Sequence, residues 1–123
     1  MGKNYRDLEV FQEAYQLAID AHDVTIKLPK YQMCEEGGQI RQSSKAIVAN
    51  IVEGYGRRRY KAEFIRFLTY AISSCDGTAV HLDLLHDCKL LAGPLYKSLK
   101  ERYDRLGRKL NNFIAAVEKG HRP

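Results

Sequence analysis

The sequence predicts an all-α fold, an antiparallel up-down bundle of four helices that forms a single domain over residues 1–123. Three observations support this prediction. Apolar residues recur at intervals of three and four along most of the chain, which is the spacing of a buried helical stripe. Pro29, Gly54 and the pair Gly93-Pro94 interrupt this spacing, so short connections join the helices. No stretch shows the alternating pattern of a strand.

The composition limits the class of protein. Hydrophobic residues make up 45% of the 123 residues, which is enough for an ordinary core. Twenty Lys and Arg against fifteen Asp and Glu give a net charge of +5, which permits an anionic partner. Cys34, Cys75 and Cys88 form no CxxC pair, so we expect reduced thiols in a cytoplasmic protein. No signal peptide and no membrane-spanning run is evident, so we expect no membrane partner.

Two helices are predicted in the first half of the chain, at residues 5–28 and 36–54. Asn4 can cap the first helix, and Pro29 ends it because the residue before a proline avoids the helical region. The charges of the first helix are mostly acidic, so we expect no anion to bind there. Its predicted buried line runs through Leu8, Phe11, Tyr15, Ala18, His22 and Thr25.

A polar pair lies beside the apolar stripe of the second helix. Asn50 and Glu53 are three residues apart, so they lie on one side of the helix near Ile47 and Ile51. A buried pair of this kind needs hydrogen-bond partners, and we interpret it as a structural polar network that fixes the register of the helices. The alternative is a catalytic or ligating carboxylate, which lacks a second carboxylate or histidine at suitable spacing.

A corner rich in arginine follows the second helix. Gly54 and Gly56 can take the left-handed conformation that ends a helix. Residues 54–66 contain five basic residues and a single acidic residue, Glu63. The basic residues are Arg57, Arg58, Arg59, Lys61 and Arg66. Three explanations are open for this cluster. It binds a nucleic-acid backbone, or it is a solvated loop that confers solubility and can pair with acidic residues of the first helix in a neighbouring subunit, or it binds a protein partner.

Phosphate binding explains this corner better than helix electrostatics does. Cations stabilise the end of one helix and destabilise the start of the next, so the two effects roughly cancel. Arginine binds phosphate through two parallel hydrogen bonds, and each neutralised phosphate releases counterions. Basic residues on the last helix extend the predicted surface. The residues predicted to contact nucleic acid are Arg57, Arg58, Arg59, Lys61, Arg66, Lys97, Arg105 and Arg108.

The third and fourth helices are predicted at 59–91 and 94–118, followed by a loose tail at 119–123. Several apolar residues of the third helix fall outside its main stripe. Such an outer patch favours self-association, although scattered surface apolar residues are also common. The predicted interface residues are Ile65, Tyr70, Val80 and Leu84.

No arrangement of residues indicates an enzyme. His81 and His86 are five residues apart, so they do not share a helix face as paired metal ligands would. Asp83 and Asp87 do share a face and could hold a divalent cation weakly. No phosphate-binding GxxxxGK occurs, and no order of residues suggests a nucleophile with its base. We therefore expect no catalytic residue, no cofactor and no metal.

A longer pattern spans the corner and both neighbouring helices, over roughly residues 5–118. It resembles the small bacterial four-helix-bundle family of the 23S rRNA intervening-sequence proteins and the accessory variability proteins of diversity-generating retroelements. The residues that carry the resemblance are Leu28-Pro29, Gln39-Ile40-Arg41, Asn50-Ile51-Val52-Glu53-Gly54, Gly56-Arg57, Glu63-Phe64, Phe67-Leu68 and Ser74-Cys75-Asp76.

The resemblance implies homo-oligomers, which are pentameric rings in known cases, and relatives that contact RNA and a reverse transcriptase. Gly77 stands where relatives carry a glutamate, which puts any role of that acidic residue in doubt. The sequence therefore predicts a non-enzymatic, ring-shaped homo-oligomer that binds RNA or DNA and serves as an accessory factor to a reverse transcriptase. The alternative is a structural or protein-interaction scaffold with no nucleic-acid role.

Overall fold

A computed structural model describes residues 4–120 of the chain, and over this range the fold is all-helical without a strand. This confirms the all-α class. Four long helices pack around one core, and a fifth helix of five residues lies between the first two of them. The up-down order and the ring stay predictions. The helices are α1 (Glu9–Thr25), α2 (Lys30–Cys34), α3 (Glu36–Gly56), α4 (Lys61–Asp87) and α5 (Gly93–Glu118), preceded by a 3₁₀ turn (Tyr5–Asp7).

The core follows the spacing of three and four on all four long helices. Helix α3 packs against α1 and α4, and α5 packs against the same two helices. Burying these side chains supplies the main free energy of folding, at roughly 25 cal/mol per Å² of apolar surface. The largest fully buried side chains are Leu17, Ile40, Ile47, Ile51, Phe64, Leu68, Leu82, Leu85, Leu99, Tyr103, Leu106 and Leu110.

The buried face of α1 differs from the prediction. Tyr15 and His22 are exposed, while Ala14 and Ala21 are almost completely buried. The predicted and the observed buried faces both have the spacing of three and four, and they differ by about one residue along the helix. The small alanine side chains allow α1 to lie close to α3 and α5, which the larger tyrosine and histidine would prevent. The buried residues of α1 are Val10, Phe11, Ala14, Leu17, Ala21 and Thr25.

The connection between α1 and α3 forms the short helix α2, which the sequence did not predict. Arg41 on α3 holds this connection in place. Its guanidinium donates to Thr25 Oγ1 at 2.9 Å and to the carbonyl oxygen of Met33 at 2.8 Å. Of the predicted loose tail, residues 121–123 lie outside the described range.

A buried thiol lies at the contact between α4 and α5. Cys75 donates a hydrogen bond to the carbonyl oxygen of Tyr103 at 3.2 Å. Burial raises the pKa of the Cys75 thiol to about 12, and the charges of Asp76 and Asp104 act in the same direction. Cys34 and Cys88 are exposed.

We expect an alkylating reagent near neutral pH to modify Cys34 and Cys88 in the folded protein and Cys75 only after unfolding. Mass spectrometry before and after addition of guanidinium chloride measures this difference. Rapid modification of all three thiols in the folded protein would contradict this prediction.

The raised pKa of Cys75 also makes the stability depend on pH. Because the folded pKa is raised above the ordinary value of 9.0, the stabilisation from Cys75 is complete below pH 9. Between pH 9 and about pH 12 it declines by about 1.4 kcal/mol per pH unit.

Candidate functional site at the arginine corner

The arginine corner, defined as Arg57, Arg58, Arg59, Lys61 and Arg66, is built on the turn between α3 and α4. The backbone N–H of Arg57 donates to the carbonyl oxygen of Gly54 at 3.0 Å, and that of Arg58 donates to the carbonyl oxygen of Tyr55 at 3.2 Å. These bonds end α3 without a left-handed glycine.

The predicted conformational role of the corner glycines is therefore wrong, because Gly54 and Gly56 are both helical. Within residues 4–120, only Lys89 and Gly120 have a positive φ angle. Gly54 is needed for a different reason. A Cβ atom at Gly54 would lie 3.2 Å from the Cβ atom of Phe67, so the missing side chain allows α3 and α4 to approach closely.

Two of the five cations are largely neutralised by carboxylates. The guanidinium of Arg57 lies 3.2 Å from Glu53 and 3.3 Å from Glu63, and that of Arg66 lies 2.8 Å from Glu63. The hydrogen bond from Arg66 lowers the pKa of Glu63, and the charges of Arg66 and Arg57 add to this effect. Glu63 therefore stays ionised and holds both guanidinium groups.

The other three cations have no carboxylate partner among the described residues. The guanidinium carbon of Arg58 lies 4.1 Å from the ring centroid of Tyr55, and its Nη1 donates to the carbonyl oxygen of Tyr55 at 2.9 Å. Lys61 Nζ donates to the carbonyl oxygen of Glu118 at 2.7 Å, which joins the start of α4 to the end of α5. Arg59 is exposed, and its side chain forms no hydrogen bond, ion pair or ring contact within residues 4–120. These three side chains leave positive charge open to solvent.

Aromatic rings contact three of the four arginines of the corner, Arg57, Arg58 and Arg66, a feature that the sequence analysis missed. The guanidinium carbons of Arg57 and Arg66 lie 4.8 Å and 5.0 Å from the ring centroid of Phe67. Arg66 also lies 5.7 Å from the ring of Tyr70. One of these contacts could have been recognised from helical spacing, because Arg66 and Tyr70 are four residues apart in the predicted third helix.

The predicted basic residues of α5 do not join the corner. At about 1.5 Å per residue, Lys97 lies on the order of 30 Å along the helix from Glu118, whose carbonyl group Lys61 contacts. Arg105 lies 3.7 Å from Glu13 on α1. Arg108 is exposed beside a groove between α4 and α5 that Asp76 also lines.

Acidic residues of α1 form ion pairs with several basic residues of α5. Lys109 Nζ lies 2.8 Å from Glu9 and 2.5 Å from Glu13, and Arg102 lies 2.7 Å from Asp20. These ion pairs connect the acidic first helix to the basic last helix. Arg102, Arg105 and Lys109 are therefore paired, whereas Lys97 and Arg108 of α5 have no carboxylate partner within residues 4–120.

The prediction that Asn50 and Glu53 form a buried polar network is wrong. The Glu53 side chain is 54% exposed and pairs with Arg57. Asn50 is half-buried, and no hydrogen bond joins it to Glu53 among the described residues. The cross-helix polar contacts lie elsewhere: Ser43 and Thr78 hydroxyls are 2.6 Å apart, and His81 Nδ1 lies 2.7 Å from Glu36.

Apolar side chains are exposed on two separate faces. On α4, Tyr70, Val80 and Leu84 are exposed, but Ile65 is half-buried against the core and does not belong to this surface. A second face, which the sequence analysis did not predict, is a groove of about 380 Å³ between α1 and α3. It is lined by Tyr15, Ala18, Ile19, His22, Asp23, Lys45, Val48 and Ala49.

Asp83 does not form the weak cation site that its spacing from Asp87 suggested. One oxygen of its carboxylate accepts hydrogen bonds from Lys100 at 2.7 Å and Tyr96 at 2.6 Å. Burial opposes ionisation of Asp83, but these two hydrogen bonds outweigh it and lower the pKa. Within residues 4–120, no three His, Cys, Asp or Glu side chains are grouped as metal ligands. None of the helices described there combines the length and apolar character needed to cross a bilayer.

Comparisons with known proteins relate this arrangement to one family. A family model described as 23S rRNA-intervening sequence protein matches residues 6–112. A solved structure from Bacteroides thetaiotaomicron, described as a protein of unknown function from the S23 ribosomal protein family, matches with a TM-score of 0.79 and 23% sequence identity. The match covers 86% of this chain and 95% of that chain. At this identity the likeness shows the fold alone. No curated protein matches the chain.

Proposed function

Because the chain belongs to the 23S rRNA-intervening sequence protein family, we propose that it is a non-enzymatic, homo-oligomeric helical protein that binds RNA or DNA phosphates at the arginine corner. One observation supports this proposal above all. Arg58, Arg59 and Lys61 lie within four consecutive residues of an exposed turn, and none of them has a carboxylate partner within residues 4–120.

The three open cations have donors left for a phosphate. Arg58 uses one N–H of its guanidinium on the carbonyl oxygen of Tyr55, and four further N–H groups remain of the ordinary five. The ring of Tyr55 covers one face of the guanidinium, so the edge that forms paired hydrogen bonds with phosphate stays accessible. Each phosphate that is neutralised releases counterions, which favours binding at low salt.

The proposal is tested by measuring binding of labelled RNA and duplex DNA across a salt series. We expect Arg58→Ala/Arg59→Ala to lower the affinity about 10-fold to 100-fold at low salt, because two charge-assisted contacts are lost. The slope of log affinity against log salt should become shallower by about 2. Far-UV circular dichroism confirms that the variant is folded.

The matched control is Lys27→Ala/Lys30→Ala, which removes the same charge from two exposed lysines near the other end of α3. This variant should bind nucleic acid like the unmodified protein. An equal loss in both variants would contradict a site at the corner, since it would indicate only the overall field of the protein. Lack of binding to any nucleic acid at low salt would refute the proposal.

Self-association is part of the proposal and is supported by the two exposed apolar faces. The outer surface of α4 and the groove between α1 and α3 lie on different helices. A contact between unlike faces generates a ring when the rotation closes, and the family resemblance favours five subunits. A ring would repeat the arginine corner in every subunit and add weak phosphate contacts together. The resemblance also extends the proposal to a reverse transcriptase as a protein partner.

The same apolar faces support the alternative function, a structural or protein-interaction scaffold. The groove between α1 and α3 is mostly apolar and opens to solvent, which is typical of a surface that another chain covers. A stable assembly that binds no RNA or DNA at low salt would favour this alternative. The mass of the protein in solution should therefore be measured in the same buffers as the binding series.

A further inference from the structure

Tyr60 presents an open aromatic ring in the middle of the arginine corner. It lies directly between Arg59 and Lys61, and it is 61% exposed. Its backbone is held on both sides: its N–H donates to the carbonyl oxygen of Arg57 at 2.8 Å, and its carbonyl oxygen accepts from Phe64 N–H at 2.9 Å. The ring is therefore displayed from a fixed backbone.

The other aromatic rings around this turn already carry guanidinium groups. Arg58 covers Tyr55, while Arg57 and Arg66 lie over Phe67. Within residues 4–120, the ring of Tyr60 has no such cation and no second ring against it. Tyr60 thus differs from Tyr55 and Phe67 in that no guanidinium group covers its exposed ring.

We propose that Tyr60 stacks on an unpaired base, so that the arginine corner prefers single-stranded nucleic acid to duplex. This inference rests on the proposed function. Arg59 and Lys61, the neighbours of Tyr60 in sequence, would contact the backbone phosphates of the stacked nucleotide. A base in a duplex has both faces covered by its neighbours, whereas a base in a single strand can leave one face for an aromatic side chain.

The inference predicts a selective loss of affinity in Tyr60→Ala. Removal of one stacked base contact lowers affinity about 5-fold to 150-fold in proteins that bind single strands. We therefore expect weaker binding of short uridine and thymidine oligonucleotides and unchanged binding of hairpin duplexes of the same charge. Comparison of the uridine oligonucleotide with the thymidine oligonucleotide shows whether the site prefers single-stranded RNA or single-stranded DNA.

The control is Tyr31→Ala, which removes another exposed tyrosine, 69% accessible, from the short helix α2. Its binding of both kinds of probe should match that of the unmodified protein. Both substituted residues are exposed, so both variants should unfold at the same denaturant concentration as the unmodified protein.

Fluorescence gives a second, direct measurement. The chain contains no tryptophan, so Tyr60→Trp introduces a single reporter at the proposed contact. Stacking on a base should quench its emission when single strands are added, and duplex should leave the emission unchanged.

The outcomes distinguish this inference from the function on which it rests. If Tyr60→Ala binds single strands as tightly as the unmodified protein while Arg58→Ala/Arg59→Ala loses affinity, stacking is refuted and the phosphate site remains. Equal losses for single strands and duplex in Tyr60→Ala would also refute the stacking contact. If no probe binds at low salt, both proposals fail.

Discussion

Replacement of Phe64 by alanine is expected to lower the free energy of unfolding by about 3–5 kcal/mol. Phe64 is only 1% exposed and lies in the core below the arginine corner. Its ring packs edge-on against Phe113 with centroids 5.4 Å apart, and the ring centroid of Tyr55 lies 6.4 Å away. Alanine would remove the contacts of Phe64 with both rings and leave a cavity between three helices.

Urea unfolding followed by circular dichroism measures this loss, at one protein concentration because association changes apparent stability. Tyr31→Ala is the control. It also removes an aromatic side chain, but Tyr31 is 69% exposed and lies on neither of the two exposed apolar faces. Its effect should stay within about 1 kcal/mol. If Phe64→Ala were no more destabilising than Tyr31→Ala, the core would not lie where the structure places it.

Replacement of Gly54 by leucine is expected to destabilise the fold by about 3 kcal/mol, although leucine favours helices more than glycine does. The first side-chain atom alone would lie 3.2 Å from the Cβ atom of Phe67 and 3.4 Å from the carbonyl oxygen of Phe64. The carbonyl oxygen of Phe64 belongs to the backbone and cannot rotate away, so α3 and α4 would have to separate.

Gly56→Leu provides the comparison, since Gly56 is in the same helix two residues later. A Cβ atom there would meet no atom within 4 Å. This variant should unfold at the same denaturant concentration as the unmodified protein or slightly above it. Equal destabilisation by both substitutions would contradict the close approach of the two helices at Gly54.

Apolar periodicity was enough to predict the four long helices but not every buried face. On α1, Tyr15 and Ile19 are large and apolar, yet they remain exposed while Ala14 and Ala21 are buried. Periodicity assigns a residue to a line on the helix and does not tell which of two neighbouring lines faces the core. That choice depends on how closely the helices approach, which is a property of the packed structure.

The arginine corner was predictable as a cluster of charge but not as a set of contacts. Helical spacing could have indicated that Glu53 neutralises Arg57 and that Glu63 neutralises Arg66. The contact of Lys61 with the end of α5 joins residues far apart in sequence, so no local pattern could reveal it. The same holds for the ion pairs by which α1 neutralises Arg102, Arg105 and Lys109 of α5.

The stacking of Arg58 on Tyr55 has an entropic consequence. A free arginine on a protein surface samples many rotamers, and a ligand that fixes such a side chain costs about 0.5–1.5 kcal/mol in lost freedom. The Arg58 guanidinium is already held over the ring at 4.1 Å and by its hydrogen bond to the Tyr55 carbonyl oxygen. Much of that freedom is therefore lost on folding, and an anion that reaches Arg58 meets a donor that is already ordered.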